Sequence, residues 1–282
     1  MDAKHLETYP RIAPESFQNE LKSKTVLITG GGYGIGAAIA ESFAKAGAAE
    51  VILVGRTVAK LKDTVAALSS TVKTSTRITY HATDITSEAD VEKLFAVISA
   101  TPDILINNAG FLAAPSNFLD ADLNEYWKSF STNILGTALV TQSFLRRRQR
   151  DGPPRTPAVV VTLNTIGAYS VRVPHLSSYG ASKAALARWS ELISVDVPDQ
   201  VARFISVHPG AVKTDMGIKS GLDGVFPSTD PTLAGDFVVW SVTEEAKFLT
   251  GRFAWVNWDV EELVAKKEEI VAKDLLRTSL SI

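Results

Sequence analysis

The chain of 282 residues contains no cysteine and only four histidines. The absence of cysteine excludes disulfides, thiolate metal sites and a cysteine nucleophile, and it fits the reducing conditions of a cytoplasmic location. The histidines are far apart in sequence and show no H-x-x-x-H spacing, so they do not indicate a zinc site. We therefore expect a cytoplasmic protein without a bound metal.

Strong charge of either sign and long apolar runs are also missing. The formal net charge is -2, which gives no electrostatic reason to expect nucleic acid or an anionic membrane as a partner. No run approaches the roughly 18 apolar residues of a membrane span, and the first residues lack the apolar core of a signal peptide. The basic stretch 146–150 precedes a Gly-Pro loop, where cations favour a helix C-terminus. We predict no nucleic-acid partner and no membrane association.

What the sequence does contain is a regular alternation of short apolar runs and helical stretches. Residues 25–29 form a β-rich run that ends in glycines, residues 37–46 have helical spacing, and residues 50–54 form the next apolar run. This β-turn-α-β order implies a parallel sheet, and the alternation continues to a last strand at 253–256. The sequence predicts an α/β fold: a single-domain, Rossmann-type, doubly wound parallel sheet with helices on both faces.

Four segments are expected around this fold. Residues 1–22 are polar and are predicted to form an N-terminal arm, and residues 23–282 form the domain. Residues 214–235 contain four glycines and two prolines, which is typical of a flexible lid over a substrate site. Residues 259–278 are charged and amphipathic, and we expect a C-terminal surface helix there.

The glycine-rich turn after the first strand predicts a dinucleotide site. Gly30 permits the tight turn, Gly34 lets the backbone approach a pyrophosphate, and Gly36 permits close packing of helix on strand. Tyr33 and Ile35 belong to the same turn. The helix that follows would offer free N–H groups and its positive dipole end to the phosphates. The alternative is a glycine-rich turn without a ligand.

The end of the second strand indicates which dinucleotide binds. An NAD-preferring site usually has an acidic residue there to bind the ribose 2′-OH. Gly55 occupies that position and Arg56 follows it. A guanidinium suits a 2′-phosphate, so the sequence predicts NADP(H) as cofactor. The alternative is that Arg56 simply faces solvent.

Two further strand ends are expected to line the cofactor site. Asp84, with Ile85 beside it, follows the third strand, where its carboxylate could accept from an adenine amino group; the alternative is a turn cap. Asn108 follows the fourth strand and could brace the sheet end. Ala109 and Gly110 are small enough to let the cofactor lie close.

Tyr179 and Lys183 are four residues apart in a helical stretch. Side chains at this spacing share one face of a helix. We expect the ammonium to lower the pKa of the phenol from its free value of about 10, which would produce an acid/base group usable near neutral pH. The alternative is a solvated helix face.

Together these motifs resemble the short-chain dehydrogenase/reductase family. They occur in the family's order between about residues 24 and 256, and the two ends of the chain are similar to members common in filamentous fungi. The motifs are Thr29-Gly30-x-x-x-Gly34-Ile35-Gly36, Asp84-x-Thr86, Asn107-Asn108-Ala109-Gly110, Asn133, Tyr179-x-x-x-Lys183 and Pro209-Gly210.

The resemblance implies a role for each matching residue. Tyr179 would exchange the proton at the substrate oxygen, and Lys183 would lower its pKa and hold the nicotinamide ribose. Asn133 would position a water that relays protons to Lys183. The nicotinamide carboxamide would be wrapped by the segment that contains Pro209, Gly210, Val212 and Thr214.

The chain departs from the family at one catalytic position, where the family usually has a serine. Without a gap that position is Ile166, which cannot donate a hydrogen bond. A one-residue insertion aligns Thr165 instead, whose hydroxyl can donate. Asn164 is a second candidate. We predict that Thr165 takes the serine's role.

The predicted function is an NADP-dependent oxidoreductase that transfers a hydride between NADPH and a ketone or secondary alcohol. The substrate would be a mostly apolar small molecule, and the fungal likeness suggests secondary metabolism. The resemblance also implies a homodimer or homotetramer. The alternatives are a non-redox isomerase or cyclase on the same scaffold, a catalytically weak NADP-binding sensor, or an interaction protein with a vestigial glycine turn.

Overall fold

The computed structural model of the protein describes residues 1–72, 75–152 and 156–280. Its centre is a seven-stranded sheet in the order β3-β2-β1-β4-β5-β6-β7, in which every neighbouring pair is parallel. The strands are β1 (Thr25–Thr29), β2 (Glu50–Gly55), β3 (Arg77–Ala82), β4 (Ile104–Asn107), β5 (Ala158–Leu163), β6 (Ala202–His208) and β7 (Arg252–Trp255). The predicted doubly wound α/β fold is confirmed.

Helices cover both faces of the sheet. Each βαβ connection returns the chain to the amino end of the sheet, so the strands remain parallel. The helices are α1 (Gln18–Leu21), α2 (Gly34–Lys45), α3 (Val58–Thr71), α4 (Glu88–Val97), α5 (Leu123–Phe130), α6 (Thr137–Arg150), α7 (Ser177–Asp196), α8 (Asp215–Lys219), α9 (Pro231–Ser241), α10 (Val260–Ala265) and α11 (Lys267–Ala272).

The strands are apolar along their length because both of their faces are buried. In β1, Val26 and Ile28 pack into a core that includes Phe43 of α2 and residues of α3 and α9. Leu27 points to the opposite face, into a second core that includes Phe144 of α6 and residues of α4. The sheet is therefore a wall between two apolar layers, and ligands can approach only at its ends.

The helical segment 123–150 is interrupted. A wider π turn at Ser131–Gly136 separates α5 from α6. Such turns insert an extra residue into a helix and often lie at functional sites. Here the turn carries Asn133, which is fully buried.

The predicted N-terminal arm, residues 1–22, packs more deeply than a cover over the domain. It forms two 3₁₀ turns, Pro10–Ile12 and Pro14–Phe17, and then α1. Ile12 and Leu21 belong to the main apolar core, with Ile12 fully buried. Apolar side chains at these positions draw the arm into the fold.

Two predicted boundaries are wrong. The predicted lid, 214–235, runs too far, because Asp230 caps α9 and residues 231–235 belong to that buried helix. The predicted C-terminal helix, 259–278, is two short helices that end at Ala272. Asp274 and Leu276 then have positive φ, which an α-helix cannot continue through, and the Leu276 carbonyl accepts from Phe253 N of β7 at 2.8 Å.

Candidate active site

A cleft of about 1230 Å³, including its open mouth, lies at the carboxyl ends of the strands. It spans the point between β1 and β4 where the strand order reverses, which is where doubly wound sheets bind ligands. The predicted residues that line it are Gly30, Tyr33, Gly34, Ile35, Gly36, Arg56, Asp84, Ile85, Asn108, Ala109, Gly110, Tyr179, Lys183, Pro209 and Thr214.

The glycine turn is packed too tightly for side chains. Gly30 has φ +67°, and a Cβ added there would lie 2.8 Å from Asn108 Nδ2. A Cβ on Gly36 would collide with the Gly30 carbonyl oxygen. The turn leads directly into α2, which begins at Gly34, so free N–H groups of the first helical turn face the cleft.

Asn108 braces this turn against β4. Its Nδ2 donates to the carbonyl oxygens of Thr29 and Gly30 at 3.0 and 3.1 Å, and its own N–H donates to Thr29 Oγ1 at 3.1 Å. Ala109 N–H shares the same hydroxyl at 3.1 Å. The expected bracing role of the asparagine is therefore present in the geometry.

Two cations stand at the far end of the cleft. Arg56 is exposed, and within residues 1–72, 75–152 and 156–280 its guanidinium makes no hydrogen bond or ion pair. Lys60, in the first turn of α3, was not predicted. Its Nζ lies 3.8 Å from the centroid of the Tyr33 ring and 3.7 Å from Asp215 of α8. The sequence signal for Lys60 is its position one turn into the helix that follows the second strand.

Asp84 acts as a turn cap while also lining the cleft. Its Oδ1 accepts from the N–H and the hydroxyl of Thr86 at 2.9 and 2.7 Å. Burial raises the pKa of Asp84, but the hydrogen bonds from Thr86 and the charge of Arg56 outweigh burial and lower the pKa overall. The carboxylate is therefore ionised at neutral pH and adds one negative charge beside Arg56.

Tyr179 and Lys183 share one face of α7 at the other end of the cleft. Lys183 is buried, and its Nζ donates to the carbonyl oxygen of Leu163 at 2.7 Å, while lying 5.9 Å from the centroid of the Tyr179 ring. Burial raises the pKa of Tyr179 to about 12 and lowers that of Lys183 to about 8. The predicted lowering of the Tyr179 pKa is therefore wrong, because the desolvation of Tyr179 outweighs the charge of the Lys183 ammonium at this distance.

Asn133 lies beside the pair, behind the cleft wall. Its Oδ1 accepts from Phe111 N at 2.8 Å, and its Nδ2 donates to the Phe111 carbonyl oxygen at 3.0 Å and to Ser182 Oγ at 2.9 Å. Gly110 separates it from the lysine: a Cβ there would lie 3.4 Å from Asn133 Oδ1 and 3.8 Å from Lys183 Nζ. The side-chain amide is committed to these protein contacts.

The three candidates for the missing serine have different surroundings. Ile166 packs against the main apolar core. Asn164 lines the cleft, but its Nδ2 donates to Ser206 Oγ at 3.2 Å and its Oδ1 accepts from Thr165 N at 2.9 Å. Thr165 Oγ1 accepts from Gly167 N at 3.2 Å, and its hydroxyl has no acceptor in the described part of the chain, but Thr165 adjoins the cleft and is not among the residues that line it.

The predicted carboxamide segment is only partly at the cleft. Pro209 and Thr214 line it, and Thr214 also caps α8 by accepting from Gly217 N at 3.0 Å. Gly210, with φ +79°, instead faces Thr229 and Asn257, and Val212 is buried. Sequence reasoning also missed lining residues that adjoin the predicted motifs: Gly32, Thr57, Leu61, Thr83, Thr132 and Leu163.

A second cavity of about 630 Å³, including its open mouth, shares Tyr179 with the first as a lining residue. Ala113 and Leu176 line it together with the carboxylates of Asp122 and Glu125. Tyr179 therefore stands between two spaces, one beside the glycine turn and one beside the loop that precedes α7.

Two searches of the described residues returned no candidates. No helix among them is both long and apolar enough to cross a membrane. No group of three or more histidine, aspartate or glutamate side chains in the same part of the chain is placed to hold a metal ion.

Comparison with known proteins identifies the family. The model of the short chain dehydrogenase family matches residues 24–223. The short chain dehydrogenase pigC of Monascus ruber is 33% identical over 283 residues, covering 97% of this chain and 91% of the relative. The short chain dehydrogenase andI of Emericella variicolor is 28% identical and covers 100% of this chain and 96% of the relative.

Solved structures share the fold. An actinorhodin polyketide ketoreductase with NADPH superposes with a TM-score of 0.74 at 20% identity, over 85% of this chain and 96% of that one. An NADH-dependent reductase complexed with NAD gives 0.72 at 25% identity, over 85% and 97%. The chain therefore belongs to the short-chain dehydrogenase/reductase family, oxidoreductases that use nicotinamide cofactors on small-molecule carbonyl or alcohol substrates.

Proposed function

We propose that the protein is an NADPH-dependent carbonyl reductase in which Tyr179 donates the proton. One observation carries the proposal: a single cleft joins the glycine turn and Arg56 at one end to Tyr179 and Lys183 at the other. A dinucleotide laid along it would have its phosphates at the turn and its reactive ring beside the tyrosine. The cradle around Gly30 and Gly36, which side chains would fill, fits such a group.

The choice of NADP(H) over NAD(H) follows from charge. Gly55 leaves no acid to bind a ribose 2′-OH, while Arg56 and Lys60 offer two cations at the same end of the cleft. A 2′-phosphate is a strong partner for a guanidinium, and a second cation would add to the attraction. Asp84 and Asp215 limit the local positive charge, which leaves Arg56 as the main discriminating group.

Bound NADPH would supply the hydride to the carbonyl carbon, and the protein's part is to provide the proton and hold the geometry. The raised pKa of Tyr179 keeps its proton in place until the substrate oxygen gains charge. Tyr179 then gives its proton to that oxygen, so the carbonyl becomes an alcohol and the phenol becomes a phenolate. The Lys183 ammonium on the same helix face stabilises this phenolate.

Thr165 would donate a second hydrogen bond to the substrate oxygen. Its hydroxyl proton has no acceptor in the described part of the chain, whereas Asn164 is bonded on both sides and Ile166 is apolar. Thr165→Val should lower kcat, and Thr165→Ser should restore it. Equal rates for the valine and serine variants would exclude this role.

The substrate would approach Tyr179 from the second cavity. That space has apolar walls at Ala113 and Leu176. It is also lined by Asp122, whose Oδ1 accepts from Asn124 N at 2.9 Å, and by Glu125, which pairs with Lys128 at 3.0 Å. A mostly apolar ketone with a hydrogen-bond donor at its far end suits this lining. A ketone of fungal secondary metabolism remains our expectation from the fungal relatives.

The test is oxidation of NADPH by a panel of ketones, followed by absorbance of the reduced nicotinamide. Tyr179→Phe should lower kcat by about 10²–10⁴-fold, because it removes the proton donor and keeps the ring. NADPH binding by this variant, measured by fluorescence, should stay near that of the wild type. Tight NADPH binding without turnover of any ketone would support the sensor alternative instead.

A further inference from the structure

The lid is a loop whose two ends meet. Thr229 N–H donates to the Ala211 carbonyl oxygen at 3.1 Å, which closes the segment 212–228 at its base. Within that segment residues 223–228 are exposed, while Thr214 and Met216 line the cofactor cleft. The position of the base therefore determines where the lid meets the cleft.

Asn257 lies at this base and is 2% exposed. Its Nδ2 donates to Thr229 Oγ1 at 3.0 Å and to the His5 carbonyl oxygen at 2.6 Å. A Cβ added to Gly210 would lie 2.7 Å from Asn257 Oδ1 and would collide with Thr229. Asn257 and Thr229 thus form the surface against which the Pro209–Gly210 turn packs.

The N-terminal arm completes the arrangement. The Asn257 carbonyl oxygen accepts from Lys4 N and His5 N at 2.7 and 3.1 Å, and Asp230 N–H donates to the Leu6 carbonyl oxygen at 2.7 Å. Beyond these bonds, the His5 ring pairs with Asp259 at 2.8 Å. Residues 4–6 therefore hold both Asn257 and the residue that follows Thr229.

We infer that Asn257 is a positioning residue that ties the N-terminal arm to the base of the lid and fixes the Pro209–Gly210 turn. This inference rests on the proposed function only in that the cleft binds NADPH. Pro209 lines the cleft directly. Gly210 has no side chain, so its position depends on the neighbouring Thr229 and Asn257. Loss of the Asn257 amide releases the lid base and the turn together, so the cleft binds cofactor less tightly.

The experiment measures NADPH affinity by fluorescence and lid mobility by limited proteolysis within 223–228. Asn257→Ala and Thr229→Val should each weaken NADPH binding about five- to tenfold, the size expected for one lost buried hydrogen bond or slightly more. Both should also be cleaved faster than the wild type. Thr229→Ser keeps the acceptor and should restore both readouts.

The double variant distinguishes a shared contact from two separate effects. If Asn257 and Thr229 act through one hydrogen bond, the double variant should bind NADPH about as weakly as Asn257→Ala alone, because coupled residues are not additive. Asn19→Ala is the matched control, since Asn19 of α1 is exposed and its side chain makes no hydrogen bond in the described residues.

Two outcomes would overturn the inference. One is unchanged NADPH affinity and proteolysis in Asn257→Ala with only a lower melting temperature, which would make the residue merely structural. The other is a Thr229→Ser variant as defective as Thr229→Val, which also decides the question if Asn257→Ala does not fold. If the wild type binds no NADPH, the proposed cofactor fails, while the proteolysis comparison still tests the tie.

Discussion

Charged side chains at the two ends of the parallel sheet differ in their interaction partners. At the amino end buried charges have protein partners: Glu50 of β2 pairs with Arg77 at 2.6 Å and accepts from Thr79 Oγ1 at 3.0 Å. Arg148 donates to the carbonyl oxygens of Pro102 and Thr156, both at 2.8 Å, and lies 3.3 Å from Asp103. These groups hold strand ends and loops together.

At the carboxyl end three chemically capable groups of the cleft have few or no such partners. In the described chain the Arg56 guanidinium and the Tyr179 hydroxyl make no hydrogen bond, and the only hydrogen bond of Lys183 is to a backbone carbonyl. Tyr179 and Lys183 also have pKa values shifted by burial, which is typical of functional sites. Under the proposed function, the polar side chains therefore serve stability at one end of the sheet and ligand chemistry at the other.

The largest test of the difference between the two ends of the sheet is at Lys183. Lys183→Met keeps the length of the side chain and removes the ammonium, so kcat should fall by about 10²–10⁴-fold while the melting temperature changes little. Steady-state NADPH oxidation and thermal unfolding measure the two effects. The control is Lys22→Met, an exposed lysine before β1. A Lys183→Met variant with full activity would remove the lysine from the mechanism.

Arg148 should show the opposite behaviour. Arg148→Met leaves two carbonyl oxygens and Asp103 without their buried donor, which should lower the free energy of unfolding by about 2–4 kcal/mol. The rate per folded molecule should stay unchanged, because the change is at the far end of the sheet. Urea unfolding and activity at low temperature test this, and a lost rate without lost stability would contradict it.

Arg56 sharpens the comparison from the carboxyl end. Arg56→Ala should weaken NADPH binding by about 10–100-fold and NADH binding by less than about twofold, since a charge-assisted pair with a 2′-phosphate contributes about 1.5–3 kcal/mol. Arg146→Ala, an exposed arginine of α6, is the matched control. Titration of both cofactors by fluorescence decides the matter. Equal weakening of both would reject the 2′-phosphate assignment.

Local sequence predicted what depends on local patterns. The glycine turn and the strand end at Asn108 follow from spacing and from the rule that the carboxyl ends of parallel strands lie at one end of the sheet. The shared helix face of Tyr179 and Lys183 follows from their four-residue spacing. Asn257 could not be predicted, because its contacts with His5 and Thr229 join segments far apart in sequence. The pKa of Tyr179 was predicted in the wrong direction, since burial is a property of the whole fold and outweighs a neighbour one helical turn away.

The smallest expected effect is a pH dependence that has opposite signs for activity and stability. Burial lowers the pKa of Lys183 to about 8 from an ordinary value of 10.5. As pH rises through about 8 the folded protein loses the ammonium, so kcat/KM for the cofactor, which reports the free enzyme, should fall toward a tenfold decrease per pH unit.

Between about pH 8 and 10 the unfolded chain binds this proton more strongly than the folded one, so the contribution of Lys183 to stability rises with pH. Above about pH 10 the raised pKa values of Tyr9, Tyr169 and Tyr179 reverse this trend, because the folded state then retains protons that the unfolded state loses. Lys183→Met should abolish the rise in stability between pH 8 and 10. If this variant leaves the slope of stability against pH unchanged, another group titrates in this range, and the pKa of Lys183 is not lowered to about 8.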